Sequence, residues 1–233
     1  MVEPSELPLR YARLERIYVW ELPVRVTHWL IFFSVIILSA TGYYIGHPFI
    51  SVPGPARDHF VMGTARAVHL YTAIVFTLAA LLRVYWLFAG NVYARLTEFI
   101  PLTRARYRSL YRAALFYAFI RRDPEEYPGH SALAGASYAA IFFLYFIIIL
   151  TGLALHAGEA SVGSPLRALS FLAPLLCGLP MARLIHHIGM WLLLMFVVAH
   201  IYFALLSSIT ERTGTLDSIF SGYKFFPRKG VWP

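Results

Sequence analysis

The chain has 233 residues, 59% of them hydrophobic and only 14% charged, well below the quarter or so of charged residues in a soluble domain. That balance excludes an ordinary water-soluble fold, and the single cysteine, Cys177, excludes an internal disulfide, a four-cysteine cluster and a C-x-x-C-H site for covalent haem. The formal charge of +8 raises nucleic acid as a partner, but the basic residues sit between long apolar runs, where membrane topology accounts for them and no nucleic-acid partner is expected.

Four apolar stretches, approximately 28–46, 67–89, 132–154 and 184–207, are each long enough to cross a hydrocarbon core of about 30 Å as a helix. They predict an all-α integral membrane four-helix bundle, with residues 1–233 forming a single membrane domain. About 28 residues precede the first stretch and no small-residue cleavage site follows it, so it reads as a retained span rather than a signal peptide. It carries His28 at its start and Gly42 fourteen residues later. A loop rich in Gly, Pro and small residues, His47 to Arg66, leads to the second span, which carries His69 and, fourteen residues on, Arg83, the one charge inside any of the four stretches.

The next loop, Gly90 to Ser131, holds seven arginines and an apolar-aromatic patch, Leu110 to Ile120, expected to form an interfacial helix on the membrane surface. After the third span, the loop from His156 to Arg183 is again small-residue rich. The fourth span carries His186, His187 and His200. Outside the spans, four Lys or Arg residues precede the first helix, seven lie between helices two and three, and four follow the last. The other two loops carry two each: Arg57 and Arg66, then Arg167 and Arg183. Fifteen against four puts the richer side, and both termini, in the cytoplasm.

The histidines carry the functional signal, because ionisable side chains within a membrane are rare and tend to be functional. His186 and His200 are fourteen residues apart, about 21 Å and about four turns, so they share a face at two depths. By topology His28 enters at the depth of His200 and His69 at the depth of His186. Two matched pairs are what two bis-histidine b-type haems require. His187 points off the shared face by about 100°, which favours His186 as the ligand. Gly42, at the outer depth, would let a porphyrin pack close or would serve helix packing. Arg83, at the inner depth, would neutralise a haem propionate or snorkel to the interface. His47, His59, His130 and His156 lie at helix ends or in loops and read as solvated or interfacial residues. Zinc or copper would need three or four ligands converging on one point.

Two segments resemble signatures of a known family. Arg25-Val26-Thr27-His28-Trp29-Leu30, running on to Thr41-Gly42, is one; Arg183-Leu184-Ile185-His186-His187-Ile188-Gly189-Met190-Trp191, continuing to Phe196 and His200, is the other. With Arg83-Val84-Tyr85-Trp86, Gly90-Asn91 and Gly222-Tyr223, the chain is similar over nearly its whole length to the cytochrome b subunits of membrane-bound nickel-iron uptake hydrogenases. That resemblance implies a di-haem cytochrome in the bacterial inner membrane, within a larger oligomer. It would anchor the hydrogenase small and large subunits and carry electrons from the small subunit to a quinone. No hydrogen-activating motif is present, so that chemistry would belong to partners. The quinone is expected beside the inner haem, with His130 and Tyr85 as candidates. A formate dehydrogenase cytochrome b subunit shares the same plan, and a histidine-lined transporter is the alternative from another class.

Overall fold

The computed structural model describes residues 14–50, 53–54, 60–101, 103–122 and 129–227. In chain order these form β1 (Leu14–Tyr18), α1 (Leu22–Gly46), α2 (Val61–Ala89), α3 (Arg104–Tyr117), α4 (Ala132–Gly158), α5 (Leu172–Leu175), α6 (Leu179–Glu211), α7 (Thr215–Ser221) and β2 (Tyr223–Pro227). The four long helices, α1, α2, α4 and α6, are each apolar and long enough to span a membrane. Large apolar side chains such as Phe33, Leu78, Phe143 and Val198 point outward from them. Such faces suit lipid rather than water, as in an integral membrane protein.

The helices run past the apolar stretches that announce them. α1 begins at Leu22 and takes in Arg25, α2 begins at Val61, α4 ends at Gly158, and α6 covers 33 residues. At 1.5 Å per residue α6 is about 50 Å long. Hydropathy marks only the part that lies in hydrocarbon, whereas backbone hydrogen bonding continues until a cap or a breaker intervenes.

By internal contacts the chain divides into two compact units, Thr27–Val84 with Ala140–Ala199, and Met1–Val26 with Tyr85–Ala139 and His200–Pro233. All four long helices contribute to the core of the first of these: Ile31 and Val35 from α1, Phe76 and Ala79 from α2, Ile141 from α4 and Leu193 from α6. Close approach of α4 and α6 depends on Gly189, where a Cβ would stand 2.8 Å from the Ile148 side chain, the use of small residues expected where apolar helices pack within lipid.

The second unit holds a feature that departs from the all-helical expectation. β1 and β2 pair antiparallel, with Leu14 opposite Pro227 and Tyr18 opposite Tyr223. The Arg16 guanidinium lies over the Tyr223 ring, 3.5 Å from its centroid. Gly222 has a φ of 90° and its carbonyl accepts from the Val19 and Trp20 amides; a Cβ there would meet the Tyr18 ring at 2.6 Å. The two strands are five residues each and far apart in sequence, so no local pattern announces their pairing.

Glu21 and Asn91 tie the segment before α1 to the loop after α2. The Glu21 carboxylate accepts from Trp86 Nε1 at 2.8 Å and from the Asn91 amide at 2.7 Å. Asn91 Nδ2 in turn donates to the Val19 carbonyl at 3.0 Å. The patch expected over Leu110–Ile120 does form a helix, but α3 begins six residues earlier, capped by Thr103, and ends at Tyr117, before Phe119 with its φ of 60°. Ser109 and Ala113, four residues apart, are buried, while Arg104, Tyr107, Arg108, Tyr111 and Arg112 are exposed.

Candidate haem site

α2 and α6 bring His69 and His186 together. Their ring centroids stand 6.4 Å apart, with the planes inclined at 61°. An imidazole nitrogen bonds a metal at about 2 Å and lies about 1 Å from its own ring centre, so two rings ligating one ion face each other across about 6 Å. The observed separation falls at that distance. Among the described residues no group of three or more His, Cys, Asp or Glu could hold a metal ion, whereas a low-spin haem needs only two histidines.

Each ring is seated by a neighbouring helix. Thr41 Oγ1 on α1 is 2.9 Å from His69 Nδ1, and Thr151 Oγ1 on α4 is 2.9 Å from His186 Nδ1. The residue after each threonine is glycine. A Cβ on Gly42 would lie 3.1 Å from His69 Cε1, and one on Gly152 would lie 3.3 Å from His186 Cε1. The Thr-Gly dipeptide thus supplies a hydroxyl to one ring nitrogen and the gap that admits the ring. Gly42, expected to admit a porphyrin or to serve helix packing, has the His69 ring against it. Thr41 was legible only as part of a signature, and Thr151 and Gly152 were missed. The signal that could have found them is the recurrence of Thr-Gly at 41–42 and 151–152.

His187 is placed elsewhere. Its Nδ1 lies 2.8 Å from the Arg183 carbonyl, and its ring rests against α1, where a Cβ on Gly46 would meet Nε2 at 2.7 Å. Arg83 is buried on α2, its guanidinium 5.4 Å from the Phe142 ring centroid.

His28 and His200 fall in different units. The His28 ring meets Trp29 edge-on at 5.1 Å. Nδ1 of His200 is 3.3 Å from the Tyr138 hydroxyl. Tyr138 also packs on His130 at 4.9 Å, and His130 stands 4.6 Å from Trp20 and 5.1 Å from Phe99. His130 is therefore a packed member of an aromatic cluster. His47 stacks on Tyr43 at 5.3 Å, His156 occupies the last turn of α4, and His59 lies outside the described residues. Tyr85 is mostly exposed.

Comparison with known proteins adds to this geometry. Residues 19–222 match the family described as prokaryotic cytochrome b561. A protein of Cupriavidus necator named as a probable Ni/Fe-hydrogenase B-type cytochrome subunit is 36% identical over 212 residues, 90% of this chain and 87% of that relative. A protein of the same name from Rhizobium leguminosarum is 36% identical over 217 residues, 91% of this chain and 90% of its own length. In Escherichia coli K12 a probable Ni/Fe-hydrogenase 1 B-type cytochrome subunit is 33% identical over 211 residues, 89% of this chain and 90% of the relative.

Proposed function

Because the chain belongs to the prokaryotic cytochrome b561 family, an integral membrane b-type cytochrome of electron transport, we propose that it is the electron-carrying and anchoring subunit of a membrane-bound nickel-iron hydrogenase. It takes electrons from the hydrogenase small subunit on the outer side and delivers them to a quinone on the inner side. It sits in the bacterial inner membrane with both termini cytoplasmic, as part of a larger oligomer with the small and large subunits. The names of the relatives support a hydrogenase partner over a formate dehydrogenase.

The observation that carries the reading is the pair His69 and His186, 6.4 Å apart between ring centroids. These two residues would hold an outer haem b. His28 and His200 would hold an inner one, an assignment supported by the fourteen-residue step from His186 to His200 along the unbroken helix α6. Bound there, haem supplies reversible one-electron chemistry. The protein's part is to fix the ligand rings, exclude water with the apolar core of Ile31, Val35, Phe76 and Leu193, and set the charge around each site. Arg83, a buried guanidinium at the inner depth of a spanning helix, is assigned to a propionate of the inner haem. Moving an electron inward against an inside-negative potential costs about 2.3 kcal/mol per 100 mV, which the drop from hydrogen to quinone offsets. α3, with basic and tyrosine side chains exposed on one side and Ser109 and Ala113 buried on the other, is assigned to the cytoplasmic interface. The quinone is placed beside the inner haem, near His130 and Tyr85.

The test is a reduced-minus-oxidised spectrum with haem quantitation on the purified chain and four single variants. Two haems per chain are expected. His69→Ala and His186→Ala remove the same one, and His28→Ala and His200→Ala remove the other. Loss of the outer haem in His187→Ala with retention in His186→Ala would overturn the ligand assignment.

A further inference from the structure

We infer that Thr41 and Thr151 are positioning residues that lock His69 and His186 in the metal-binding tautomer and thereby hold down the reduction potential of the iron between them. The inference rests on the outer haem site proposed above. A hydroxyl has one proton to give. Thr41 Oγ1 lies 2.7 Å from the Ile37 carbonyl of its own helix and 3.3 Å from that of Leu38. Thr151 Oγ1 likewise lies 2.8 Å from the Ile147 carbonyl and 3.1 Å from that of Ile148. Carbonyl oxygens only accept, so in both threonines the hydroxyl proton is committed to the backbone. What each hydroxyl presents to the histidine 2.9 Å away is a lone pair.

Nδ1 of each ring must then be the donor. A neutral imidazole carries one N–H, so the lone pair falls on Nε2, the atom left to bind iron. The same device is built twice from independent helices, α1 against α2 and α4 against α6. Thr151 is fully buried, which keeps water from replacing its hydroxyl. An Nδ1–H that donates to oxygen makes the imidazole a stronger base and favours the ferric over the ferrous ion. Nδ1 of His200, by contrast, faces a phenol at 3.3 Å, whose proton can rotate to either role.

The experiment uses the full-length haem-loaded protein and compares Thr41→Val, Thr151→Val, the double valine variant and the two serine variants. The readouts are a spectroelectrochemical titration of each haem and the low-temperature EPR spectrum of the ferric protein. Each valine variant is expected to raise the outer midpoint potential and alter that haem's EPR g-values, the double variant by more, with the inner haem unchanged. The serine variants, which keep the hydroxyl, stay at the wild-type values. Loss of the outer haem in a valine variant with wild-type potential in the matching serine variant supports the same role. Valine variants holding the outer haem at the wild-type potential, or serine variants shifting as valine does, overturn the inference. A wild-type chain without haem, or an unchanged spectrum in His69→Ala and His186→Ala, overturns the haem assignment itself.

Discussion

Glycine at 42 and 152 is the cheapest way to bring an imidazole against a neighbouring helix, because any Cβ there costs the ring its place. With 3.1 and 3.3 Å available to Cε1, an added methyl must push the ring by a few tenths of an ångström. Gly42→Ala and Gly152→Ala are expected to lower occupancy of the outer haem in a pyridine-haemochrome assay, and Gly42→Val to abolish it. Gly63→Ala serves as control, since the nearest atom to its Cβ is 3.9 Å away, and should leave haem content unchanged. Composition and hydropathy say nothing of this. His69 and His186 stand out in the sequence because ionisable residues are rare in membrane spans, and Gly42 by its fourteen-residue step from His28, while Thr41, Thr151 and Gly152 are ordinary helix-packing residue types there.

Between elements, the contacts that matter join segments distant in the chain. Gly135 on α4 is one: a Cβ there would run into the Glu98 carbonyl, whose residue also anchors α3 through Arg106, 3.0 Å from the carboxylate. Because the obstacle is backbone, Gly135→Ala is expected to destabilise the protein by about 1–3 kcal/mol, as overpacking does, read as a lower thermal midpoint in detergent. β2 carries a second such contact. Lys224 is buried, its ammonium 3.4 Å from the Gly129 carbonyl. Burial pushes its pKa below the ordinary 10.5, while Glu211 opposes the shift. Between the folded pKa and 10.5 the unfolded chain holds more protons, so stability rises with pH across that window and is level below it. Lys224→Met is expected to flatten this rise in chemical-denaturation midpoints measured from neutral to alkaline pH. The pairing of β1 with β2 and the place of Lys224 beside Gly129 were not legible in sequence, since both join residues about a hundred or more positions apart.

For the whole molecule, the fifteen-to-four distribution of basic residues makes a prediction about orientation. Cys177, the single cysteine, is exposed in the turn between α5 and α6. In intact spheroplasts a membrane-impermeant maleimide is expected to label it from the outer side. In a Cys177→Ser background, Arg108→Cys on α3 should label only after permeabilisation; the reverse pattern would invert the topology. By itself the sequence determined the four apolar helices, their approximate limits and the fourteen-residue step from His186 to His200, because hydropathy and helical rise depend on neighbours along one chain. Only the tertiary structure decided that the His69 and His186 rings stand 6.4 Å apart, that Thr41 and Thr151 seat the two rings, and that β1 pairs with β2. Those contacts arise between helices, where the shape of a facing side chain rather than its hydropathy selects the partner.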